Sequence, residues 1–209
     1  VPAVDEPIAP TEVTDEALLE LARAGDKPAF DRLADRWRGR LTGFCILMVG
    51  DADEAESLSQ EALTRAFSSL AAFKAGARFS PWVHGIALNL CRQLLRNRAR
   101  RAMPMENESL TGVADRRGRS HGVLSSLYRR ELSERLMQAL DHLPIALHEA
   151  FVMRYIEGRS YEEISEIAGV AAGTLRARAF RARLLLQSQL GNLLDTACLP
   201  ADEVEDRPE

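Results

Sequence analysis

Apolar residues return at every third or fourth position through most of this chain, and no stretch alternates β-branched with polar residues. A backbone patterned this way buries stripes on helices rather than faces of a sheet, so the expected fold class is all-α. The first helix begins after Thr14, where Asp15 and Glu16 suit an N-terminus; it pauses at Gly25 and Asp26, and Pro28 restarts it. The restarted helix carries Phe30, Leu33, Trp37, Leu41 and Phe44 on one stripe, and Gly50 ends it. Asp51 can cap the next helix, over 51–70, whose inner face is Ala55, Leu58, Ala62, Ala66 and Leu70. Ser80 is the expected cap of a long helix with Pro81 in its first turn and Trp82, Ile86, Leu90 and Leu94 as its apolar stripe, running to Arg101.

Residues 102–127 break the pattern with Pro104, three glycines and mixed polar residues. A connection of that length far exceeds the usual ~5 residues and marks a flexible linker between two small helical domains, 14–101 and 128–192. Helices of the second domain are expected to end near His142 and Glu157, with two more after Ser160. Residues 1–13, with three prolines and three carboxylates, read as a disordered tail, and 193–209 as an acidic one, with six acids against one arginine from residue 195 onward.

The formal net charge is −4 and the pI about 5.7, so any nucleic-acid surface must be local. Cys45, Cys91 and Cys198 are far apart and form no CxxC pair, which suggests neither a disulfide framework nor a zinc site and fits a cytoplasmic location. The longest apolar run, Leu41 to Val49, is about half the ~20 residues that span a bilayer, and no export signal is evident. His84, His121, His142 and His148 show no metal spacing, and neither a nucleophile elbow nor a phosphate loop appears. Catalysis, metal and cofactor are therefore not expected; His84 belongs on the long helix, His142 and His148 at helix surfaces or ends, and the cysteines in the core.

Residues 160–183 read SYEEISEIAGVAAGTLRARAFRAR. Ser160 and Glu163 form a capping box, a short helix stops at Gly169, and another starts near Thr174: a helix-turn-helix signature. On the second helix Leu175, Ala179, Ala182 and Leu186 share a packing stripe, while Arg176, Ala177, Phe180 and Arg181 share one that can face a major groove. Arg178 and Arg183 are better placed for phosphates. An arginine-rich helix alone usually just presents a solvated face; the preceding turn motif tips the balance toward DNA.

The long helix of the first domain carries Asn89, Arg92, Arg96 and Arg100 on one face, with Arg98 and Arg101 nearby. The loop from Phe73 to Phe79 adds aromatic and small residues beside which an unstacked base could lie, although core packing explains Trp82 better and Phe73 equally well. The 51–70 helix is acidic at its start, with Asp51, Asp53, Glu54 and Glu56, and carries Gln60 and Glu61 further in; the helix dipole accounts for the first turn, and Gln60 and Glu61 could meet a basic helical partner.

Three segments in order, DADEAESLSQEALTRAF, FSPWVHGIALNLCRQLLRNRARR and the 160–183 stretch, resemble regions 2.2, 2.3 to 2.4 and 4.2 of bacterial sigma-70 family sigma factors. The resemblance covers residues 14–192, and the absence of regions 1.2 and 3 points to the extracytoplasmic-function group. It implies that Asp53, Glu54, Leu58, Gln60 and Glu61 dock on the β′ clamp helices of core RNA polymerase. It further implies that Arg65, Phe73, Asn89, Arg92 and Arg96 serve the promoter −10 element, where the first domain melts the duplex and holds a flipped base. The second domain would touch the β flap and read the −35 element through Arg176, Phe180 and Arg181, with Thr174 and Arg178 on the backbone. An anti-sigma factor is a further implied partner. Ser80 and Leu88 stand where basic residues are common in the family, Gln93 where Asp is frequent, and Ala177 where Ser is frequent. A helix-turn-helix regulator that never touches polymerase remains the alternative.

Overall fold

The computed structural model describes residues 13–74, 76–102 and 135–190; residues 1–12, Ala75, 103–134 and 191–209, which include all but the last residue of the N-terminal tail, nearly all of the linker and the whole acidic tail, lie outside them. Among the described residues there are helices and no strands: α1 (Asp15–Arg23), α2 (Lys27–Val49), α3 (Ala52–Ser68), α4 (Phe79–Ala102), α5 (135–141), α6 (Ile145–Phe151), α7 (Tyr161–Ala168) and α8 (Ala172–Leu190). A 3₁₀ turn, Leu70–Ala72, follows α3, and a π turn, Val152–Ile156, extends α6.

Local chemistry sets the boundaries. Thr14, Asp26 and Asp51 each accept from the backbone N–H three residues on, at 3.2, 3.2 and 2.9 Å, so one otherwise orphaned donor is satisfied at each start. Gly50 stops α2 in the left-handed region (φ +72°), bonding back to the Ile46 carbonyl. Other carbonyls in the last turn of α2 are met from afar: Arg98 Nη1 donates to Val49 O and His148 Nε2 to Leu47 O, both at 2.8 Å. The Arg98 cation also suits the dipole at this helix C-terminus.

In the first helical set α2 packs on α1, α3 and α4, with Leu33, Leu41, Phe44, Met48 and Val83 fully inside. Each such buried side chain contributes roughly 1.5–3 kcal/mol through the surface removed from water. In the second set α6 and α7 pack on α8. The two sets also pack on each other, chiefly α4 on α7, and share one continuous apolar core.

Several expectations are corrected in detail. The long helix starts at Phe79, so Ser80 lies inside it; its carbonyl meets His84 Nδ1 at 2.9 Å and its hydroxyl meets Arg159 at 3.4 Å. The deepest stripe of α4 is Val83, Ala87, Leu88 and Cys91, while Trp82, Ile86 and Leu94 are only partly buried. That rotation follows from packing on two flanks, since α4 is covered by the first set on one side and by α7 on another. His148, expected at a surface, is buried because α2 supplies the carbonyl its ring needs.

Candidate nucleic-acid interface

The turn before α8 is built as its sequence asks. Ser160 Oγ accepts from the Glu163 N–H and Glu163 accepts in return from the Ser160 N–H, both at 3.1 Å. Gly169 then ends α7 at φ +67°, a conformation that a side chain disfavours, and α8 leaves at a new angle. Leu175, Ala179, Ala182 and Leu186 are completely buried, which pins the opposite face of α8 outward. On that face Thr174, Arg176, Ala177 and Arg181 lie toward solvent, and Phe180 shows 45% of its surface, a large apolar group with no core role. The Arg176 guanidinium lies 5.3 Å from the centroid of the Tyr161 ring, which Arg154 also approaches, at 4.9 Å. Such stacking holds a flexible side chain near one orientation.

On α4, Asn89, Arg96 and Arg100 are exposed, as their shared face requires. Arg92 is different. Its Nε and Nη2 donate to the two carboxylate oxygens of Glu149, each at 2.8 Å, and Nη1 reaches Asn89 Oδ1 at 3.5 Å. Glu149 is only 2% exposed, and a second arginine of the helix-turn-helix, Arg178, stands 3.9 Å from the same carboxylate. One buried acid thus joins a basic residue of each helical set. The contact continues where Arg159 donates to His84 Nε2 at 2.8 Å and where Arg78 pairs with Glu163 and Glu166, at 3.2 and 3.0 Å. Burial pushes the nearby Glu157 carboxyl up, while His84 and Arg159 beside it hold it, on balance, below the usual carboxylate range.

Phe73 departs from its expected role. Its ring is 4% exposed and packs edge-on against Trp82, 4.6 Å between centroids, so it faces the core and not solvent. Arg65 is paired with Glu61 one turn earlier, at 2.7 Å, with both side chains about half exposed. Of the acidic set on α3, Asp53, Gln60 and Glu61 are exposed, Leu58 is half-buried, and Glu54 is engaged by Arg98. Sequence reading missed Glu149, Glu157 and Arg159; the available signal was a carboxylate, Glu149, set beside the apolar run from Ala150 to Met153. No cluster of three or more metal-ligating side chains occurs among the described residues, and no described helix is long and apolar enough to cross a membrane.

Two helical sets, one ending in a helix-turn-helix with an outward arginine face, define a DNA-binding architecture. The sigma-70 region 2 family model matches residues 33–101, and the sigma-70 region 4 model residues 133–186. RNA polymerase sigma-H factor of Pseudomonas aeruginosa is 32% identical, covering 90% of this chain and 99% of its own length. The ECF RNA polymerase sigma factor SigW of Bacillus subtilis is 31% identical over 84% of this chain and 96% of its own. Among solved structures, the sigma factor RpoE in complex with the anti-sigma factor NepR from Bartonella quintana aligns with a TM-score of 0.61 and 27% identity, over 80% of this chain and 98% of that one. CnrH, in complex with the cytosolic domain of CnrY, shares the fold with a TM-score of 0.64 at 24% identity, over 84% and 96%. The chain belongs to the sigma-70 family of sigma factors, in its extracytoplasmic-function group. Its function is that of the family: a DNA-binding sigma factor that recognises promoters.

Proposed function

We propose that this chain binds core RNA polymerase, reads the −35 element with α8, melts the −10 element with α4 and so starts transcription. The observation that carries the reading is α8 itself, with four fully buried residues on one face and Arg176, Phe180 and Arg181 outward on the other. Arginine can fork onto the O6 and N7 of guanine, and Phe180 can meet a thymine methyl, whereas Thr174 and Arg178 sit at the edges where phosphates run.

In the first set, Asn89, Arg92 and Arg96 supply hydrogen-bonding and positive groups for a single strand, with Arg65 at the margin. Phe73 is left out of that surface. Exposed Asp53, Gln60 and Glu61, flanked by Leu58 and Glu54, offer an acidic helix face to the β′ clamp helices, and the second set meets the β flap. An anti-sigma factor completes the partners, as NepR does for the Bartonella quintana relative.

Run-off transcription with core polymerase on a genomic promoter library tests this, with Asn89→Ala as the control. Transcripts that require the protein and share two spaced motifs support it. Duplex binding without any core-dependent transcript would instead leave a stand-alone regulator.

A further inference from the structure

One aromatic ring stands beside the outward face of α8. Ser160 caps α7, so Tyr161 is fixed as the first residue of that helix, and its half-buried side chain also packs against the core. Arg154, in the π turn, lies 4.9 Å from the ring centroid and donates through Nη1 to the Arg159 carbonyl at 3.0 Å. The Arg159 N–H donates in turn to the Met153 carbonyl, also at 3.0 Å, which ties the π turn to the start of α7. Arg176, exposed on α8, brings its guanidinium to 5.3 Å from the same centroid. A side chain named as a base reader thus rests on a ring that is itself held by a cap, by the core and by a second arginine.

We propose that Tyr161 is a positioning residue: its ring orients the Arg176 guanidinium toward one base of the −35 element and so sets specificity at that base without setting overall affinity. This rests on the −35 reading of α8 given above. A guanidinium can lie on a ring with its flat face and still present the N–H donors of its edge, so the stack and a fork onto guanine O6 and N7 are compatible. Forking onto a base costs arginine its rotamer freedom, and a contact that orients the side chain beforehand lowers that cost. A non-cognate duplex leaves the guanidinium mobile among phosphates and gains nothing from the ring. The benefit therefore falls on the cognate base, and the strength of an exposed cation–π contact corresponds to a preference of about two- to fivefold. Arg181, exposed on the same face further along α8, is the internal comparison.

The test uses core polymerase with the full chain on a promoter found in the run-off experiment, with each −35 base pair changed in turn and the transcripts counted. Arg176→Ala and Arg181→Ala first identify the base pair that each arginine reads. Tyr161→Leu keeps an apolar contact but has no π face. It is expected to cut the preference at the Arg176 base pair about two- to fivefold, to leave the Arg181 base pair unchanged, and to add nothing once Arg176 is alanine. Tyr161→Phe is expected to keep the parent preference. Pentafluorophenylalanine at position 161 has the shape of phenylalanine with charge withdrawn from the ring face, so it should act as leucine does even where leucine disturbs the packing.

An equal loss of transcription from every −35 variant assigns the ring to phosphate binding or folding, and a lost preference at both base pairs assigns it to the support of α8 as a whole. Either result overturns the positioning role and leaves the −35 reading standing. Undiminished preference with the fluorinated ring overturns it as well. If Arg176→Ala changes no base preference, the base reading by Arg176 fails, and the proposal falls with it.

Discussion

Replacing Arg92 with leucine should expose how much the Arg92–Glu149 pair contributes. The carboxylate is 2% exposed and accepts two bonds of 2.8 Å from one guanidinium. Removing one member of a buried pair costs about 3–5 kcal/mol, because the survivor stays desolvated. Arg178 remains 3.9 Å away and 30% exposed, which places Arg92→Leu near the lower end, about 3 kcal/mol. The loss has a ceiling: once it exceeds the docking free energy, the second set swings free and water solvates Glu149. Leucine at both positions should recover most of the loss, since an apolar pair of similar volume replaces both charges. Urea denaturation of the single and double variants, followed by far-ultraviolet circular dichroism, completes the cycle, and urea leaves the ion pair unscreened where guanidinium would not. A loss under about 1 kcal/mol for either single variant, with negligible coupling, is the behaviour of a solvated surface pair and would refute the docked arrangement.

Burial lowers the proton affinity of His148, despite the Leu47 carbonyl and the nearby acids Asp141 and Glu149, so its folded state resists protonation. Its contribution is complete above the ordinary histidine value of about 6.5 and lost as pH falls below it; the urea midpoint should therefore drop on acidification. Asp141, raised by burial, works the opposite way, and His148→Gln, which keeps a donor for Leu47, isolates the histidine by flattening that slope. Ser160→Ala removes one arm of the capping box and should cost about 1 kcal/mol in the same denaturation assay. Phe180→Ala should change stability by less than about 0.5 kcal/mol because its ring is exposed, yet weaken binding to a promoter duplex by about 1–3 kcal/mol in electrophoretic mobility shifts.

Periodicity made the helices legible because each stripe is a local property of the chain. The α8 stripe was readable to the residue, since Leu175, Ala179, Ala182 and Leu186 face a single core. The α4 stripe was not: a helix covered on two flanks buries residues around more than half its circumference, and the apolar pattern no longer picks one side. Phe73 shows the same limit, because an aromatic ring in a loop carries no period to say whether it faces inward or outward. Charge on α4 and α8 was visible as composition, but which arginine is free depends on Glu149, 57 residues along the chain from Arg92. Contacts of that separation leave no trace in local spacing. His148 is the plainest case, since nothing near position 148 announces that the end of α2 needs a donor.

That hydrogen bond between the His148 ring and the Leu47 carbonyl offers a spectroscopic handle. It joins groups 101 residues apart, one in each helical set, and involves a carbonyl in the last turn of α2. Carbon-13 at that single carbonyl and nitrogen-15 in that single ring would report, in solution and without any added ligand, whether the two sets are together.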